Sequence, residues 1–246
     1  MKSRNPRSDR FKTGHRLIMG NGNLHWAPMK KFAVILSGCG VFDGAEIHES
    51  VLALLAIDQA GARYQCAAPD IAQAHVIDHL AGAPTEGESR NVLRESARIA
   101  RGEIIPLAEL DPSAFDAIVL PGGFGAAKNL CNFAFDADNL DVEGELAVFL
   151  NRARELGKPI GFACIAPAIA AKLFGPGGLK FTIGNDAGTA QALAQWGGQH
   201  VDCPVDDIVI DETHNVVTTP AYMLAQRISE AHAGISKMIA ALLERA

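Results

Sequence analysis

The sequence has few aromatic residues, no closely spaced cysteine pair and no long apolar run. Aromatics make up 6% of its 246 residues, against 48% hydrophobic residues overall. Ala, Val, Leu and Ile must therefore do most of the core packing. No segment approaches the ~18 apolar residues that a spanning helix requires, which predicts a soluble chain without a membrane partner. Cys39, Cys66, Cys131, Cys164 and Cys203 are odd in number and widely spaced, and no C-x-x-C occurs. That pattern predicts reduced thiols in a cytosol-like compartment and argues against a disulfide framework or a zinc site.

Basic charge is scarce in the body of the chain. The net charge is -6, but residues 1–31 hold eight Lys/Arg and one acid, Asp9. The remainder carries 14 basic against 27 acidic side chains, which leaves no electrostatic footprint for nucleic acid. Residues 1–28 lack hydrophobic periodicity and an apolar h-region, so they are not a secretory signal. They are expected to be a disordered basic extension, with an organelle transit peptide or a start codon placed too early as the other readings. Residues 29–246 are expected to form one domain in the cytoplasm, or in the mitochondrion if the extension is a transit peptide.

From Met29 the chain alternates short apolar runs with amphipathic stretches. "FAVILSG", "RYQCAAP", "FDAIVLPGG", "IGFAC" and "LKFTIG" read as strands. Helices are predicted from about Ala45 to Ala60, capped by Asp43 or Gly44, over Arg90–Gly102, Val142–Pro159 and the run after Cys164, and at "AGTAQALAQWGG" and the C-terminus. "IVIDETHNVVTTPA" reads as a hairpin around a His-Asn turn. Residues 70–89 give mixed signals. The alternation predicts an α/β fold, a mainly parallel sheet sandwiched by helices. Sites in such sheets form beyond the carboxyl ends of the strands, which singles out Gly38–Glu49, Pro121–Leu130 and Ala163–Pro167.

Cys164 stands where the strand "PIGFA" meets a helix. A sharp strand-turn-helix lifts a side chain above the sheet edge, and a helix N-terminus should lower a thiol's pKa. Pro167 suits the first helical turn. A buried, inert cysteine is the competing reading. In "LPGGFGAAKNL", Gly122 and Gly123 follow a strand and could expose N–H groups to a developing oxyanion.

Together, "LPGGFGAAKNL" and "GKPIGFACIAPA" resemble the paired signatures of the class I glutamine amidotransferase-like superfamily, in its PfpI/DJ-like branch. "ILSGCGVFDGAEIHE", "RNVLRESARIARGEI", "CPVDDIV" and "VVTTPAYML" resemble the ElbB-like proteins, described as enhancing-lycopene-biosynthesis or isoprenoid-biosynthesis glyoxalases. The likeness runs from about Met29 to the C-terminus. It implies a flavodoxin-like sheet, a nucleophile-elbow cysteine at Cys164 and a glutamate from the first helix beside it. Glu49 matches that glutamate, with Glu46 as the rival; either could instead be an exposed first-turn acid. A homodimer is expected, since relatives often dimerise.

The chain departs from the amidotransferase pattern. No H-x-E follows Cys164 among His200, His214 and His232; His214, in a hairpin turn, and His232, in a helix, are expected to be exposed. Ile165 stands where protease-like relatives carry a histidine. Amidotransferase and protease activities are therefore disfavoured. The resemblance points to a glyoxalase acting on small 2-oxoaldehydes without cofactor, metal or glutathione. In that scheme Cys164 is the nucleophile, Glu49 moves the proton, and the N–H groups of Gly123 and Ile165 hold the oxyanion beside Gly122. Cys39 could line the pocket or act in redox chemistry, or be only a small loop residue. His48 could reach the pocket from the helix or stay half-exposed on it. His75 and His79 share an i, i+4 spacing, but without an H-E-x-x-H motif a metal is not expected. The alternative function is a thiol-based redox or regulatory protein linked to isoprenoid metabolism.

Overall fold

The computed structural model describes residues 15–20 and 23–246, with side chains from Met29 onward. Seven strands form the main sheet: β1 (Lys31–Ile35), β2 (Arg63–Ala68), β3 (Ile104–Pro106), β4 (Ala117–Leu120), β5 (Ile160–Ala163), β6 (Val209–Asp211) and β7 (Val216–Thr219). Their order is β6-β7-β5-β4-β1-β2-β3. All pair in parallel except β6, which runs antiparallel to β7 at one edge. The fold is the mainly parallel α/β sandwich that the alternation of elements predicts, with the flavodoxin-like sheet that the family resemblance implies.

The short apolar runs become strands because both faces of a parallel sheet are covered. In β1, Phe32 and Val34 enter one core while Ala33 and Ile35 enter the other. Helices α1 (Ile47–Gln59), α2 (Val92–Ile99) and α7 (Ile228–Arg245) bury Leu52, Ile57, Val92, Ile235 and Met238 on the first face. Helices α3 (Phe124–Lys128), α4 (Gly144–Glu155), α5 (Pro167–Phe174) and α6 (Ala187–Ala194) bury Ala126, Phe149, Ile169, Phe174 and Leu193 on the second. Gly161 of β5 admits α7: a Cβ there would collide with Leu242.

The chain lays β2 and β3 on one side of β1 and returns to the other side with β4. This reversal opens a crevice above the carboxyl ends of β1 and β4, where sites of doubly wound sheets form. β5 and β7 end at the same edge, so four loops converge there.

Several local expectations change. Glu46, not Asp43 or Gly44, caps α1; Asp43 instead accepts the Ile77 N–H at 2.8 Å. "LKFTIG" leaves the main sheet, and Lys180–Phe181 pairs in parallel with Gln199–His200. The segment with mixed signals holds a small antiparallel pair, Ile77–Asp78 with Ala83–Pro84, and is followed by the edge strand β3. The sequence reading places no element before Met29, yet His15–Gly20 and Asn23–Pro28 pair antiparallel. The rest of the expected extension, residues 1–14, 21 and 22, lies outside the described residues. No described helix is long and apolar enough to cross a membrane.

Candidate active site

The turn after β5 presents Cys164 with φ +59°. A non-glycine residue in this left-handed region costs roughly 1–2 kcal/mol, so the surroundings must hold it. The Cys164 N–H donates to the Thr219 carbonyl of β7 at 3.0 Å, and the Ala166 N–H donates to the Ala163 carbonyl at 3.0 Å. Pro167 then opens α5 at a position that needs no N–H. Locked on both sides, the thiol projects over the sheet edge, where the N–H groups of Gly123 and Ile165 favour its ionised form.

α1 carries the second group. The Glu46 N–H donates to the Gly122 carbonyl at 3.0 Å, joining the helix start to the end of β4. The Glu46 carboxylate accepts the Glu49 N–H at 2.6 Å, which occupies Glu46 as a cap. One turn in, Glu49 points inward. Its Oε2 accepts the Gly122 N–H at 2.8 Å and its Oε1 the Tyr222 N–H at 3.1 Å. The carboxyl faces the Cys164 thiol across Gly122, and the two act on each other's ionisation. Gly122 is required by space: a Cβ would collide with Cys164 Cβ and crowd Glu49 Oε2. Gly123 adopts φ +89° and its missing Cβ leaves room for the backbone of Ala45 and Glu46.

Glu49 is fully buried and Cys164 only 7% exposed. Burial pushes the Glu49 carboxyl up to about 7, with the Glu46 charge adding to it and the N–H groups of Tyr222 and Gly122 opposing. Burial also raises the Cys164 thiol well above its ordinary value, and the Glu49 charge adds to that. This corrects the expectation that the helix N-terminus leaves the thiol more acidic than usual. The N–H groups of Gly123 and Ile165 do pull it down, but desolvation and the facing carboxylate outweigh them. The two groups titrate as a pair. When Glu49 holds a proton its charge disappears and its O–H can donate to sulfur. A thiolate then meets three donors: that O–H and the N–H groups of Gly123 and Ile165.

The remaining candidates separate clearly. Cys39 is not placed with this pair; its charged neighbours are Glu95, Arg98, Asp43 and Arg90. His48 is exposed, with Nδ1 2.8 Å from the Tyr222 hydroxyl. His75 and His79 flank a short strand, so helical i, i+4 geometry does not apply; His79 lies 3.8 Å from Asp43 and His75 against Phe135. Among the described residues no group of three or more His, Cys, Asp or Glu side chains could hold a metal ion. His214 is not exposed as expected: it is buried and paired with Asp211 at 3.0 Å. It lies before β7, at the sheet end opposite Cys164, because Val216 pairs with Ile160 at the start of β5. His232 is half-buried on α7, and His200 accepts the Ile183 N–H at 3.3 Å.

Sequence reasoning missed the contribution of Thr219 and Tyr222. "VVTTPAYM" was legible as a strand followed by a turn. The hairpin pattern gives no sign that its second strand runs parallel beside β5, so the loop after it is not among the three that the sequence singles out.

No family model matches the chain. The human protein named glutamine amidotransferase-like class 1 domain-containing protein 3, mitochondrial, is 46% identical over 226 residues, covering 88% of this chain and 84% of that protein. The mitochondrial ES1 protein homolog of Rattus norvegicus is 45% identical over 242 residues, covering 94% and 90%. The crystal structure of an isoprenoid biosynthesis protein with an amidotransferase-like domain, from Ehrlichia chaffeensis, superposes with a TM-score of 0.82 at 37% identity, covering 88% of this chain and 99% of that one. A DJ-1 superfamily protein of Agrobacterium tumefaciens shares the fold at 18% identity, with a TM-score of 0.51 over 88% and 89% of the two chains. With identity this high over nearly the whole length of both chains, the protein belongs to the ES1 and glutamine amidotransferase-like class 1 family.

Proposed function

We propose that this protein is a cofactor-independent glyoxalase-type enzyme that converts small 2-oxoaldehydes, such as glyoxal and methylglyoxal, to 2-hydroxy acids. The observation that carries this reading is the buried Glu49 carboxyl facing the Cys164 thiol across Gly122, with the N–H groups of Gly123 and Ile165 favouring the thiolate.

In the proposed reaction the Cys164 sulfur bonds to the aldehyde carbon. The carbonyl electrons move to oxygen, which takes a proton and gives a hemithioacetal. Glu49, as carboxylate, removes the proton from that carbon, forming an enediol, and returns it to the adjacent carbon. The first carbon is thereby oxidised to a thioester and its neighbour reduced to a carbinol, with no external electron acceptor. Water then adds to the thioester, the C–S bond breaks, and sulfur recovers its proton. A carboxyl held up to about 7 suits a group that must accept and return a proton near neutral pH. The N–H groups of Gly123 and Ile165 supply the oxyanion donors.

The test is glyoxal consumption and glycolate formation by purified protein. Cys164→Ser should abolish turnover, and Glu49→Gln should reduce it by a factor on the order of 10²–10⁴. Wild-type protein without turnover, whose Cys164 oxidises selectively to sulfenic acid, would replace this reading with a thiol sensor. A link to isoprenoid metabolism is suggested by the name of the Ehrlichia protein. The relatives' mitochondrial names favour the transit-peptide reading of residues 1–28 over a cytoplasmic location.

A further inference from the structure

The turn after β7 and the first turn of α1 are tied twice. Inside, the Tyr222 N–H donates to Glu49 Oε1 at 3.1 Å. Outside, the Tyr222 hydroxyl lies 2.8 Å from Nδ1 of His48, the residue before Glu49, and the two rings stand 5.8 Å apart. The turn that carries Tyr222 is strained: Ala221 has φ +44°, a conformation that an alanine leaves readily unless something holds it. His48 is exposed, so core packing does not account for its contact.

We propose that His48 and Tyr222 are positioning residues for Glu49. Their side-chain hydrogen bond clamps the strained turn against α1 and keeps the Tyr222 N–H on Glu49 Oε1. This rests on reading Cys164 and Glu49 as the reacting pair. The groups facing Glu49 are Glu46 at the cap of α1, the Gly122 N–H after β4, Cys164 after β5 and the Tyr222 N–H after β7. Of these, the Tyr222 N–H favours the carboxylate. Opening the clamp withdraws that donor and makes Glu49 hold its proton to higher pH.

The experiment follows alkylation of Cys164 by iodoacetamide against pH, read by mass spectrometry of the Cys164 peptide. In the wild type the rate rises through the first ionisation of the Glu49–Cys164 pair. Tyr222→Phe and His48→Ala should each shift that midpoint upward, by several tenths of a pH unit to about one. The double variant should shift it no further, since both changes open one clamp. In a Glu49→Gln background, Tyr222→Phe should shift nothing. Profiles that superimpose on the wild type, shifts that add, or a shift that survives Glu49→Gln would each overturn the proposal. Alkylation needs no turnover, so the two readings fail separately. Absence of glyoxal turnover with these shifts present removes the enzyme and keeps the clamp; turnover without the shifts does the reverse.

Discussion

The Glu49 carboxyl faces the Cys164 thiol across Gly122, in a space that leaves the carboxyl no contact with solvent. Two groups that each ionise by losing a proton thus share a site that disfavours a second negative charge. The pair exists only because β1, β4, β5 and β7 end at one edge of the sheet.

This arrangement makes stability depend on pH in a defined direction. An unfolded Glu49 should titrate near 4.5, whereas burial holds it up to about 7 in the folded chain. The folded state then binds the proton more tightly. The group's effect on stability is most favourable below pH 4.5 and declines as pH rises through 7, by roughly 3 kcal/mol in all. Glu49→Gln removes this dependence. Urea denaturation should find the variant about as stable as wild type near pH 4.5 and more stable by on the order of 2–3 kcal/mol at pH 8. Equal differences at the two pH values would contradict the assigned proton affinity.

Glu46 combines two roles that substitution can separate. Glu46→Gln keeps an acceptor for the Glu49 N–H but removes the charge that raises Glu49. The midpoint of Cys164 alkylation should move to lower pH, with little loss of stability. Glu46→Ala should move it the same way and also cost about 1 kcal/mol through the lost cap. An upward shift in either variant would show that the Glu46 charge does not act on the pair.

Gly122 is the closest spacer between acid and thiol. Gly122→Ala places a methyl group against Cys164 Cβ and Glu49 Oε2. Overpacking of this kind should cost roughly 1–3 kcal/mol. Misplacing the pair by a fraction of an ångström to about an ångström should reduce glyoxal turnover on the order of 10²-fold. Gly144→Ala, where an added Cβ meets nothing within 4 Å, is the control and should be neutral. Unchanged turnover in Gly122→Ala would deny the tight fit.

His214 and Asp211 should matter for folding alone. Asp211 accepts the Lys180 N–H at 2.7 Å and the His214 N–H at 2.7 Å, and His214 stacks on Phe174. Asp211→Ala strands buried donors and should cost roughly 1–3 kcal/mol. The rate of Cys164 alkylation at pH 8 should stay at the wild-type value, because the pair sits at the far end of β7. A changed rate would connect the two ends of the sheet.

Much of this architecture was legible in the sequence because burial leaves a periodic trace. Runs such as "FAVIL" must be covered on both faces, and "GKPIGFAC" ends where a helix must begin. Glycines at 122 and 123 marked a loop that a ligand or a side chain could approach. The pairing of Glu49 rather than Glu46 with the thiol came from family resemblance. Spacing alone left both residues on one helical face. His214 looked like a turn residue at the surface, since nothing local reveals that Asp211 and Phe174 close over it.

Residue order by itself determined the alternation of strands and helices, the bend that carries Cys164 and the helix that carries Glu49, since these follow from local polarity and turn chemistry. Tertiary structure alone decided that the strand after the hairpin lies beside β5, that Tyr222 reaches Glu49, and that the thiol is harder, not easier, to ionise. Those outcomes depend on desolvation and on charges brought together across more than a hundred residues, which no local pattern of side chains encodes.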